Sequence, residues 1–152
     1  MFVSKQSGTH RWGVHPFAPP CPQVWRLRRP TPSAHAKRLF IPSYPIDHKK
    51  FPDRLGHEHA IMRVLAAAKP DFIALAGYMR LLSPSFVAAY RNRIVNIHPS
   101  LLPAFPGVNA QQLALAAGAR VSGATVHFVT PELDAGPIIL EAAVPVHETD
   151  TV

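Results

Sequence analysis

Phe72-Ile73-Ala74-Leu75-Ala76 is an unbroken apolar run that begins just after Pro70 and closes at Gly77. Neighbouring residues of a strand point to opposite faces. A run with no polar residue on either face predicts a strand covered on both sides, as in a sheet sandwiched between helices. The flanking residues supply those helices. From about 52 to 69, Ile61, Val64, Leu65 and Ala68 recur at helical spacing, and Pro70 ends the pattern. Ser83-Pro84 predicts a short helix over 85–90, with serine as its cap and proline in its first turn. Strands are expected at 94–97, 124–129 and 138–146, and a helix over about 110–117 stopped by Gly118. Residues 39–42 read as one further short strand. This alternation predicts an α/β layered fold with a mostly parallel sheet.

At 152 residues, 47% of them hydrophobic, the chain has room for one domain with a substantial core. No run reaches the roughly 20 apolar residues of a membrane span, and the N-terminus lacks the apolar stretch of a secretory signal. A soluble, cytoplasmic protein is expected. Cys21 is the only cysteine, which excludes an internal disulfide and a multi-cysteine zinc site, and no metal is expected. The net charge of +7 is concentrated at one end. Lys5, Arg11, Arg26, Arg28, Arg29, Lys37 and Arg38 precede the first carboxylate, Asp47, and later charges cancel. A basic arm of this kind can bind nucleic acid. Its prolines and lack of apolar periodicity favour the plainer expectation of a disordered segment over 1–33, with no nucleic-acid partner.

The strand at 94–97 runs into Asn96-Ile97-His98-Pro99. Residues two apart on a strand share a face, so Asn96 and His98 can reach one reacting atom from one side. The carboxyl end of such a strand is where open α/β sheets leave a ligand crevice. Asp134 lies in Leu133-Asp134-Ala135-Gly136-Pro137, a turn held by glycine and proline. An amide donor, an imidazole and a carboxylate suffice for acyl transfer through a tetrahedral intermediate. Taken singly, Asn96 and Asp134 read as ordinary turn residues and His98 as a satisfied polar group. It is their combination that points to chemistry.

Asn96-Ile97-His98-Pro99-Ser100-Leu101-Leu102-Pro103-Ala104-Phe105-Pro106-Gly107 resembles the signature of the folate-dependent formyltransferases, and within them the phosphoribosylglycinamide formyltransferase family. Two further segments resemble that family in order and spacing: 75–82, containing Gly77-Tyr78-Met79-Arg80, and 123–139, containing Thr125-Val126-His127-Phe128 and Leu133-Asp134-Ala135-Gly136-Pro137. The resemblance covers roughly 34–152. Formyltetrahydrofolate deformylases usually carry histidine and phenylalanine where this chain has Pro99 and Leu101. Methionyl-tRNA formyltransferases usually place arginine and tryptophan around Phe105-Pro106.

The resemblance implies a Rossmann-like formyltransferase domain over 34–152, incomplete at its N-terminus. It implies transfer of a formyl group from 10-formyltetrahydrofolate to the amine of glycinamide ribonucleotide, a one-carbon step of de novo purine (IMP) biosynthesis. Asn96, His98 and Asp134 are the implied catalytic group. Arg54, Met79, Arg80, Leu81, Leu82, Thr130, Pro131, Glu132 and Leu133 are the implied folate-side residues. His127, inside a strand, is expected to support the site from the core. The family's first strand and glycine-rich turn, which receive the substrate phosphate at a helix N-terminus, have no counterpart in 1–33. Asn109 and Gln111 also stand where many members have histidine-containing sequence. The chain therefore resembles a family member shortened at both ends, expected to bind folate weakly and to transfer formyl poorly. A formyltetrahydrofolate hydrolase and a non-catalytic folate-binding remnant are the alternatives.

Overall fold

The computed structural model describes residues 2–4 and 32–152. They form strands β1 (Phe2–Ser4), β2 (Phe72–Ala76), β3 (Ile94–His98), β4 (Val121–Phe128) and β5 (Ile138–Pro145). The helices are α1 (Pro32–Arg38), α2 (Arg54–Ala68), α3 (Pro84–Ala89) and α4 (Ala110–Ala116), with a 3₁₀ turn at His48–Lys50. None of these helices is long and apolar enough to cross a membrane.

The helix ends follow the local signals. The Asp53 carboxylate accepts the Gly56 N–H at 2.7 Å to start α2, and Lys69 in the left-handed region ends it before Pro70. Ser83 caps α3 through the Phe86 N–H, with Pro84 first in the helix. Gly118, at φ +66°, closes α4 as paired bonds run from Gly118 N to Leu115 O and from Ala119 N to Ala114 O. The same double bond explains why 39–42 is not the expected strand. Phe40, at φ +55°, donates to Lys37 O while Ile41 donates to Ala36 O, so these residues terminate α1.

The α/β expectation holds, and the sheet order is β1-β2-β3-β4-β5. Among the described strands the sheet is mixed. Only β2 and β3 run parallel, joined by the α3 crossover, whereas β1–β2, β3–β4 and β4–β5 are antiparallel. A helix between two strands suggests a parallel crossover. Between β3 and β4, however, the long loop before α4 allows the chain to return reversed. Phe2–Ser4 pairs with β2 as a strand, a correction to the expectation of no regular structure over 1–33. The expected disorder falls, for residues 5–31, outside the described residues.

Ile61 and Leu65 of α2, Ile73 and Leu75 of β2, Phe86 and Val87 of α3, and Ile94 of β3 form one buried cluster with Leu82. β2 is sealed on one face only, since Phe72 and Ala76 are exposed and Ala74 is half-buried. Val64 is half-buried and Ala68 exposed, so the inner stripe of α2 is narrower than its spacing suggests. The packed face anchors β3, whose C-terminal end carries the site.

Candidate active site

The pleat delivers Asn96 and His98 to one cavity of about 450 Å³, on which Asp134 also borders. That volume is within the range of small-molecule sites. Residues 79–82, which follow β2, and residues 130–133, which follow β4, line the same cavity. Met79, Leu81, Ile97, Val108 and Leu133 all leave much apolar surface exposed around it. An apolar wall facing a cluster of polar groups suits a flat ring system bearing one reactive polar group.

Of the folate-side residues read from the sequence, Met79, Arg80, Leu81, Leu82, Thr130, Pro131, Glu132 and Leu133 all border the cavity. Arg54 does not. It begins α2, with its Nε 3.8 Å from the Glu58 carboxylate. Glu58 is buried and accepts the Ser83 N–H at 2.9 Å and the Ser83 hydroxyl. Arg54 therefore stands behind the 78–83 segment rather than in the crevice.

His98 is buried and held from both sides. Nε2 lies 2.9 Å from the Phe105 carbonyl oxygen, and Nδ1 lies 3.4 Å from Asp134 Oδ2. A carbonyl oxygen only accepts, so Nε2–H donates to Phe105 O, while Nδ1 and Asp134 make a close imidazole–carboxylate contact. Here both ring nitrogens already face protein acceptors. The loop that presents the Phe105 carbonyl is fixed in turn. Ser100 Oγ donates to Ala104 O, Thr125 Oγ1 donates to Ser100 O, and the Leu102 N–H donates to Thr125 Oγ1.

Asp134 joins three segments. Oδ2 accepts the Gly107 N–H at 2.8 Å, and Oδ1 lies 3.6 Å from Nε2 of His127. Its backbone is left-handed at φ +48°, and Gly136 follows where a Cβ would run into the carbonyl oxygen of Phe128. His127 also lies 3.3 Å from Asn96 Nδ2. The sequence reading placed His127 in the supporting core. It is indeed buried, but it touches two of the three catalytic candidates. No motif spacing marks this contact, because it comes from the β3–β4 register, in which Asn96 faces His127.

Tyr78, also on the cavity border, has its phenol pKa raised above 10.0. Burial is the main cause and the Glu58 charge adds to it, while Arg80 and Arg54 oppose. Its hydroxyl is buried with no hydrogen-bonding partner among the described residues.

A carboxamide, an imidazole–carboxylate pair and an apolar slot thus meet at one strand end. The chain belongs to the formyl transferase family, whose family model matches residues 28–152. It is 52% identical over 117 residues to the trifunctional purine biosynthetic protein adenosine-3 of Gallus gallus, covering 77% of this chain and 12% of that protein. It is 44% identical over 117 residues to the phosphoribosylglycinamide formyltransferase of Bacillus subtilis, covering 77% of this chain and 60% of that one. Among solved structures, the phosphoribosylglycinamide formyltransferase of Streptococcus pneumoniae superposes with a TM-score of 0.76 at 38% identity. That match covers 82% of this chain and 69% of the other. The chain thus spans less than two thirds of either curated relative.

Proposed function

We propose that this chain transfers a formyl group from 10-formyltetrahydrofolate to the primary amine of glycinamide ribonucleotide, in de novo purine biosynthesis. One observation carries the reading: Asn96, His98 and Asp134 converge on the cavity whose other walls are 79–82 and 130–133. The apolar walls would take the pterin-like ring and leave its formyl group against Asn96. The amine attacks the formyl carbon, a C–N bond forms, and the carbonyl oxygen becomes an oxyanion.

An amide hydrogen of Asn96 is the direct donor to that oxygen. His98, held against Asp134, would add positive charge nearby when it carries both ring protons; a preorganised donor such as the Asn96 amide typically lowers a barrier by about 3–4 kcal/mol. Asp134 accepts the proton from the attacking nitrogen, directly or through a water. Collapse breaks the bond to folate N10, which takes up a proton as tetrahydrofolate leaves.

The test incubates the full chain with 10-formyltetrahydrofolate, with and without glycinamide ribonucleotide, and measures formylated ribonucleotide and free formate. Amine-dependent formylation supports the proposal. Formate release that ignores the amine would instead make the chain a hydrolase, with water as the nucleophile. Titration calorimetry with a folate analogue and with the ribonucleotide separates loss of one substrate site from loss of both.

A further inference from the structure

Two observations bear on Asn96 that the proposed chemistry leaves unused. Asn96 and His127 are direct cross-strand partners, with Asn96 Nδ2 3.3 Å from His127 Nε2. His127 is only 2% exposed, and its other nitrogen, Nδ1, lies 3.0 Å from the Phe128 carbonyl oxygen. A carbonyl cannot donate, so the ring proton sits on Nδ1. In the neutral ring Nε2 is then a bare acceptor. The nearest oxygen of Asp134, at 3.6 Å, is an acceptor as well and makes no hydrogen bond to it. Among the described residues Asn96 is therefore the group that can satisfy Nε2, and it can do so only with its amide nitrogen turned that way.

We infer that His127 is a positioning residue that fixes the carboxamide of Asn96. It takes one amide hydrogen and leaves the other for the ligand oxygen. The inference rests on the proposed formyl-transfer site for its functional meaning but on the β3–β4 pairing for its geometry. Reversing the amide would set oxygen lone pairs against Nε2. A proton moved to Nε2 would favour the reversed amide and draw the ring toward Asp134, whose other oxygen faces His98. The tautomer of a buried histidine thus selects which end of Asn96 serves as donor.

The apo protein provides the first test. In the ¹⁵N-labelled full chain at neutral pH, long-range imidazole spectra should show His127 protonated on Nδ1 and bare on Nε2. One Asn96 side-chain proton should be exchange-protected, and that protection should vanish in His127→Phe. His127→Gln, whose carbonyl oxygen can accept, should restore part of it. An Nε2-protonated tautomer in the parent, which needs no variant to detect, would overturn the inference. So would unchanged Asn96 signals in His127→Phe.

Kinetics provide the second test. His127→Phe and Asn96→Ala should each lower kcat by about 100-fold with little change in KM for the formyl donor. The double variant should lose little more than either single one. Independent, multiplying losses would refute the coupling. An inactive parent would count against the proposed activity, and the tautomer measurement would then decide the role of His127 alone.

Discussion

Replacing Glu58 with alanine should destabilise the fold far more than replacing it with glutamine. Glu58 is 1% exposed and accepts both the N–H and the hydroxyl of Ser83, itself buried. Alanine leaves those donors without their acceptor. The hydroxyl can turn to Ser85 Oγ, 3.0 Å away, but the N–H has no such recourse. A stranded buried donor costs about 1–3 kcal/mol, and the vacated volume adds to that. Removing a buried charge returns part of its desolvation penalty. The net loss should be about 2–4 kcal/mol, or roughly 5–15 °C in Tm for a chain of this size. Glutamine keeps one oxygen for the Ser83 N–H and offers its NH₂ to Ser83 Oγ, so its loss should stay below about 1 kcal/mol. Thermal unfolding followed by circular dichroism at neutral pH measures both. Equal losses for the two variants would show that the negative charge, not the hydrogen-bond geometry, is what α2 contributes to the cavity wall.

Tyr78→Phe removes a buried hydroxyl that has no partner among the described residues and should raise stability at neutral pH by roughly 1 kcal/mol in urea unfolding. The folded protein holds the Tyr78 proton more tightly than the unfolded chain, so that stabilising contribution is full below pH 10.0 and is lost as pH rises through the folded value. Above pH 10.0 the parent should therefore lose stability more steeply than Tyr78→Phe. Gly136→Ala drives a Cβ into the Phe128 carbonyl and should cost about 1–3 kcal/mol. It should also displace Asp134 enough to slow formyl transfer by about 100-fold, and a variant with parent Tm and rate would show that the turn has slack. Asn96→Ala and His98→Ala should each reduce formyl transfer by about 100-fold or more while leaving calorimetric binding of a folate analogue nearly unchanged. Near-parent turnover in either would remove that residue from the oxyanion argument.

Most of the elements from α2 onward, and the strand end that bears the candidate site, were determined by the sequence alone. Proline after α2, serine and proline opening α3, and glycine after α4 act on the backbone within a few residues, so their effects are written locally. The shared face of Asn96 and His98 follows from the pleat in the same way. The stretch 39–42 shows the limit of local reading: apolar composition suggested a strand, but the backbone bonds of a helix end claimed those residues.

Tertiary structure decided the direction of β4, the pairing of Asn96 with His127, the seat of Ser83 on Glu58, and the place of Arg54 behind the wall rather than in the crevice. Each depends on register and chain direction between segments distant in sequence. A one-residue slip would turn each side chain to the other face. Asp134 faces His98 because β4 returns antiparallel beside β3 and the turn after it carries the carboxylate back across the strand end. The burial of one sheet face under α2 and α3 sets that register, and no residue within the turn encodes it.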